Sequence, residues 1–170
     1  AAPRDTTSSR REMLMRKYRR SADEVVEMDT RMTQTAAAEG LEFNLEGTLT
    51  GNTFDAHRLM HLAHVRGVQD AVIERFYRAY FSEQRSLFTQ DSLVALATEA
   101  GLTRDEAAAT LLDNRYAEAV KEDIEIARQL GVTGVPFFVI DDRYAVSGAQ
   151  AVDVFRQALR HAWADRVIAS

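Results

Sequence analysis

Gly131-Val-Thr-Gly-Val-Pro-Phe-Phe-Val-Ile-Asp-Asp-Arg-Tyr-Ala-Val-Ser-Gly-Ala-Gln150 decides how the rest of this 170-residue chain is to be read. Two glycines lead into a proline, and a run of large apolar and β-branched residues follows at once. Phe137 to Ile140 has the length and composition of a buried strand. Asp141, Asp142 and Arg143 form a polar tight connection, and Tyr144 to Ser147 reads as the returning arm of a hairpin. Pro136 stands at the mouth of the first strand, where its missing N–H removes no ladder bond. A cis peptide is accessible to X-Pro bonds and belongs at tight turns, so Val135–Pro136 is where one is expected.

The neighbours of this stretch are helical. After it, Val152, Phe155, Leu159 and Ala162 recur at helical spacing, with Trp163 close to the same face. Before it, a helix is expected from Tyr116 to Leu130, with Val120, Ile124 and Ala127 inward, Lys121, Glu122 and Glu125 outward, and Gly131 at its end. Thr103-Arg-Asp-Glu106 is a capping box that opens a short helix carrying Ala107, Ala108, Leu111 and Leu112. Asp91 is placed to cap the run of Leu93, Leu96 and Ala97, which Gly101 ends. Phe88 closes the connection before it. Val72, Ile73, Phe76, Tyr77, Tyr80 and Phe81 make a wide aromatic stripe, the mark of a helix packed on both flanks.

Further out, Ala56, Leu59, Met60 and Ala63 form the apolar stripe of a helix that Asn52 or Thr53 caps and Gly67 closes. His57, His61 and His64 fall along one flank of it at i, i+4 and i+7. Imidazoles so spaced can converge on a transition metal. No Glu follows the first of them to make a His-Glu-x-x-His motif, so they read first as partly buried polar residues and the expected metal set is none. Leu41 to Gly51 is an extended connection with Phe43 and Leu45 on alternate positions. Ser21-Ala-Asp-Glu24 is another capping box, and the helix it opens carries Val25, Met28, Met32 and Ala36 as core filling. Residues 1 to 10 are polar, with mobility expected, and the basic cluster from Arg10 to Arg20 reads as a solvated helix face.

Composition excludes several classes. The chain is 46% hydrophobic with a net charge of −5, ordinary for a globular protein and unlike a nucleic-acid binder. Neither a membrane-spanning stretch nor the apolar centre of a signal peptide is present, and a cytoplasmic location is the expectation. There is no internal repeat and no low-complexity linker. With no cysteine, the chain makes no disulfide and offers no thiolate ligand.

Gly134-Val-Pro-Phe-Phe-Val-Ile140 followed by Val146-Ser-Gly-Ala-Gln150 resembles the cis-proline loop and last hairpin of DsbA-like thioredoxin-fold proteins, and among them the FrnE group of thiol–disulfide oxidoreductases. Glu12-Met-Leu14 with Lys17-Tyr18, then Leu41-Glu-Phe43, Asn52-Thr-Phe-Asp-Ala-His-Arg-Leu59 and Ala79-Tyr-Phe81 fall in the order that this family shows. The resemblance runs over nearly the whole chain. One departure is large: the family's reactive Cys-x-x-Cys pair is missing. The resemblance therefore implies a truncated or proteolysed form without the first β-α-β unit, inactive by itself, unless another chain supplies it.

The expected fold is mainly α, of the α+β class: a helical substrate-side domain over residues 1–115, and over 116–170 the hairpin-and-helix part of a thioredoxin fold. By resemblance, Val135 and Pro136 position a protein or peptide thiol or disulfide substrate, and Thr133 and Gly134 shape its approach. Asn52, Thr53 and His57 are expected where the helical domain faces the active site, although capping and packing explain Asn52 and Thr53 as well. No cofactor, nucleic acid or membrane is implied. In the thioredoxin fold the first strand pairs with the one after the cis-proline, so Phe137 to Ile140 would be left an exposed edge. Each large apolar side chain left wet forgoes roughly 1.5–3 kcal/mol. Cover from a homodimer or from an associated N-terminal fragment is thus expected. Two other functions fit the same architecture: a glutathione-using isomerase of the 2-hydroxychromene-2-carboxylate type, and a non-catalytic peptide-binding helical module.

Overall fold

The computed structural model describes residues 7–168. In chain order the elements are β1 (Ser8–Ser9), α1 (Arg10–Tyr18), α2 (Ala22–Ala38), β2 (Leu49–Thr50), α3 (Phe54–Val65), α4 (Gln69–Phe81), α5 (Gln90–Glu99) and α6 (Arg104–Leu112). They continue with α7 (Ala117–Gln129), β3 (Phe137–Ile140), β4 (Tyr144–Ser147) and α8 (Val152–Ile168). The mainly helical α+β character expected from the sequence is what forms. The chain divides into two compact units, Ala1–Val120 and Lys121–Ser170.

The first unit is built around α3 to α6. Leu59, Leu62 and Ala63 of α3, Val72, Phe76 and Ala79 of α4, Leu93, Leu96 and Ala97 of α5, and Ala107 and Leu111 of α6 make one contiguous core. α2 opens as its capping box requires: Glu24 N–H donates to Ser21 Oγ at 3.2 Å, and Glu24 Oε2 accepts from Ser21 N–H at 2.7 Å. At Thr103 only half of the box forms. Its hydroxyl accepts from Glu106 N–H at 3.3 Å, but the Glu106 carboxylate is taken by the Thr103 hydroxyl and by Arg66. A guanidinium is a stronger partner than a second amide.

Several local expectations shift. Thr89, not Asp91, stands at the N-cap of α5; Asp91 lies in the first turn, where its charge still meets the positive end of the helix. Tyr116 takes a φ of +60°, so α7 starts one residue later. Met32, Tyr77 and Leu112 are exposed, the edges of stripes wider than the surface that covers them. Of the segment expected to be mobile, residues 1–6 lie outside the described residues, whereas Ser8 and Ser9 pair antiparallel with Thr50 and Leu49. Gly51 allows a close approach: a Cβ there would meet Phe88 Cγ at 2.8 Å.

The second unit is small. β3 and β4 pair antiparallel in the register Phe137–Ser147 to Ile140–Tyr144. Asp141 and Asp142 both take positive φ, 53° and 51°, which matches a mirror-type turn to the twist of the strands. α8 packs on the hairpin through Phe138 and Phe155, whose rings meet edge to face at 4.9 Å. Val146 and Ala162 are buried. Ile124, Leu159 and Trp163, read from the sequence as inward or close to the inward face, are exposed along with Leu130, Phe138 and Val139. Helical spacing identifies the apolar face but not whether anything covers it.

Candidate substrate-binding loop

The turn after α7 holds the residues singled out from the sequence. Gly131, at φ +73°, ends the helix, and Val132 N–H donates back to Ala127 O at 3.0 Å. From there Thr133, Gly134, Val135 and Pro136 run through solvent into β3, with Val135 89% exposed. Beyond the proline the chain is held again: Gly148 N–H donates to Pro136 O at 2.8 Å. The Val135–Pro136 peptide is cis. Gly134 has open space where a Cβ would stand, so packing does not require a glycine at that position. The outcome is a short open stretch of main chain fastened at both ends, with one apolar side chain displayed at its centre.

The remaining candidates lie in the helical unit. Asn52 does local work: its Oδ1 accepts from Phe54 N–H at 2.8 Å and ties down the start of α3. Thr53 is the N-cap by position but makes no capping bond through its side chain. His57 is exposed on the first turn of that helix. The histidine triplet does not gather. His61 is half-buried and stacks on Tyr116 at 6.2 Å, His57 and His64 are exposed, and among the described residues no group of three or more His, Cys, Asp or Glu is placed to hold a metal ion.

The largest surprise is Arg58, a fully buried side chain in the middle of that same motif. Its Nε donates to Arg115 O at 2.8 Å, and its Nη1 pairs with Asp55 Oδ1 at 2.8 Å and reaches Leu111 O at 3.4 Å. Nη2 donates to Thr110 O. The guanidinium thus closes the C-terminus of α6, where carbonyls lack helical partners and the helix dipole is negative. A nearby surface network joins α4 and α5. Glu99 accepts from Arg85 at 3.0 Å and from Arg75 at 2.7 Å, and these bonds hold its pKa down to about 2. Arg75 is shared with Glu83 at 2.7 Å. In the hairpin unit the Tyr144 hydroxyl donates to Asp165, which pushes the phenol pKa up.

Among the described residues no helix is long and apolar enough to cross a membrane. Residues 5–160 match the family model for a DSBA-like thioredoxin domain. The structure is similar to the crystal structure of a probable DsbA oxidoreductase from Streptomyces coelicolor, with a TM-score of 0.91 and 43% sequence identity. That match covers 96% of this chain and 71% of the Streptomyces coelicolor chain. No curated protein matches.

Proposed function

The chain belongs to the DsbA-like thioredoxin domain family, and from that premise we propose that it is the substrate-side, cysteine-free portion of a protein disulfide oxidoreductase of the FrnE group. The observation that carries this reading is the open main chain from Thr133 to Pro136, with Val135 89% exposed and the backbone tethered on either side. An extended peptide laid along such a segment gains main-chain hydrogen bonds, as in strand addition. Because the loop is fastened beforehand, little ordering cost is left for binding. Val135 and Pro136 position the substrate, and Thr133 and Gly134 leave room for its approach. Within the helical unit, exposed His57 with Asn52 and Thr53 beside it is likewise assigned to substrate contact.

The chemistry itself needs sulfur. A thiolate attacks one sulfur of a disulfide, a new S–S bond forms as the old one breaks, and the departing thiolate takes up a proton. This chain has no cysteine, so the attacking thiolate must come from a separate Cys-x-x-Cys segment. Exposed Phe138 and Val139 on β3, with Leu159 and Trp163 on α8, give that segment an apolar surface to cover. The intact enzyme then exchanges disulfides in protein substrates, with the cysteines on one segment and the peptide-holding loop on this one.

Dithiothreitol-driven insulin reduction tests the assignment. The chain alone should not catalyse it. A chimaera joining the chain to the part of the Streptomyces coelicolor relative that it does not match should, and Val135→Asp in that chimaera should lower the rate roughly tenfold or more. A chimaera that melts cooperatively yet fails to catalyse, or that ignores Val135→Asp, overturns the reading.

A further inference from the structure

A groove lies wholly within the helical unit, where the connection after α2 runs beside α4. Asn44 N–H donates to Phe81 O at 2.6 Å, Asn44 Nδ2 to Ser82 O at 2.7 Å, and Ser82 Oγ to Glu42 O at 2.7 Å. These bonds fix the extended segment against the end of α4 and leave a cavity of about 850 Å³ between them. The volume lies in the range of sites that hold small ligands or a few side chains. Its floor is apolar: Phe43 stacks on Phe81 at 4.7 Å, and Tyr77 approaches Phe81 at 6.2 Å. Leu41 and Tyr77 remain 56% and 54% exposed.

The rim is acidic once paired charges are set aside. Its lining carries Glu42, Glu74 and Glu83 against a single guanidinium, Arg78, and Glu83 is bridged by Arg78 at 3.3 Å and by Arg75, from outside the lining, at 2.7 Å. The Glu42 carboxylate meets only the Asn44 amide, at 3.2 Å, and among the described residues no Lys or Arg pairs with Glu42 or Glu74. An apolar, aromatic floor between two uncompensated carboxylates is complementary to one chemistry. We infer that this groove binds a short peptide segment in which a bulky apolar residue is flanked by Lys or Arg. The groove uses no residue of the loop at Pro136, owes nothing to cysteine chemistry, and stands or falls independently of the oxidoreductase assignment. Its role is to hold a partner polypeptide by a basic, apolar sequence.

The test is calorimetric titration of the chain with the acetylated, amidated hexapeptide Lys-Leu-Phe-Lys-Leu-Lys and with its counterpart in which every Lys is Glu. The basic peptide should bind with a dissociation constant below about 1 mM, and the acidic one at least roughly tenfold more weakly. Tyr77→Ala and Glu74→Lys should each weaken the basic peptide by roughly tenfold, and added salt should weaken it as well. Leu112→Ala and Trp163→Ala, at exposed apolar residues elsewhere, should leave binding unchanged. Equal binding of the two peptides, no binding, or loss through Trp163→Ala instead of Tyr77→Ala would overturn the inference.

Discussion

At the scale of single residues, Arg58 carries the most consequence. Its side chain is fully buried, pairs with Asp55, and satisfies carbonyls at the end of α6 that have no helical partner. Removing one member of such a buried arrangement strands the other and typically costs about 3–5 kcal/mol. Urea unfolding of Arg58→Met should show a loss of that order. Arg58→Lys should recover only part of it, because an ammonium cannot reproduce the planar fork that reaches several acceptors at once. A loss below about 1 kcal/mol in Arg58→Met, the usual range for exposed ion pairs, would show that the site is structurally idle. This residue also marks the limit of sequence reading. An arginine on an amphipathic helix is expected to face water, and the only local hint was Asp55 three residues before it. The acceptors come from a helix some fifty residues away, and no spacing rule reaches that far. Asn52 was the opposite case. Its capping chemistry was visible in its type and position, and it does tie the start of α3.

At the scale of elements, the legible parts were those whose cause is local. The hairpin from Phe137 to Ser147 forms with the expected limits because composition, turn residues and strand length all agree. The box at Ser21 closes on both arms, whereas Thr103 keeps one, since Arg66 draws off the Glu106 carboxylate. The apolar contact between α4 and α5 is likewise edged by charges from distant positions, and they make a pH prediction. Glu99 is held at about 2 against an ordinary 4.5 by hydrogen bonds from Arg85 and Arg75. A carboxyl whose folded pKa is depressed adds stability that is fully present above its unfolded value and is lost as pH falls through the folded one. The midpoint temperature of the wild type should therefore drop between pH 4.5 and about 2. Glu99→Gln should be less stable than wild type above that window, and the two curves should converge toward its lower end. Because the pair is exposed, the difference should shrink in high salt. Parallel curves for the two proteins across the window would show that Glu99 is not linked to folding.

At the scale of the whole molecule, the two units differ in how far each completes its own core. The helical unit buries side chains from four helices around Phe76 and Leu59. In the hairpin unit, Val146 and Ala162 are buried while Ile124, Phe138, Val139, Leu159 and Trp163 face water. The sequence showed these apolar faces, but periodicity is the same whether a face is covered within the chain, by another chain, or not at all. If a separate Cys-x-x-Cys segment covers the unit, its indole should report the event, because Trp163 is the only tryptophan and is 69% exposed. Dilute chain should emit as a solvated indole and bind a hydrophobic dye, as exposed apolar patches do. Addition of the unmatched part of the Streptomyces coelicolor relative should shift the emission to the blue and suppress dye binding, and Trp163→Phe should abolish the emission signal but not the loss of dye. Amides of β3 and β4 should gain hydrogen-exchange protection on that addition, while those of α3 to α6 stay as they were. A blue shift that instead grows with the concentration of the chain alone, together with a doubled mass in sedimentation, would assign the cover to a second copy. Emission already blue in a dilute monomer would mean that the face needs no partner.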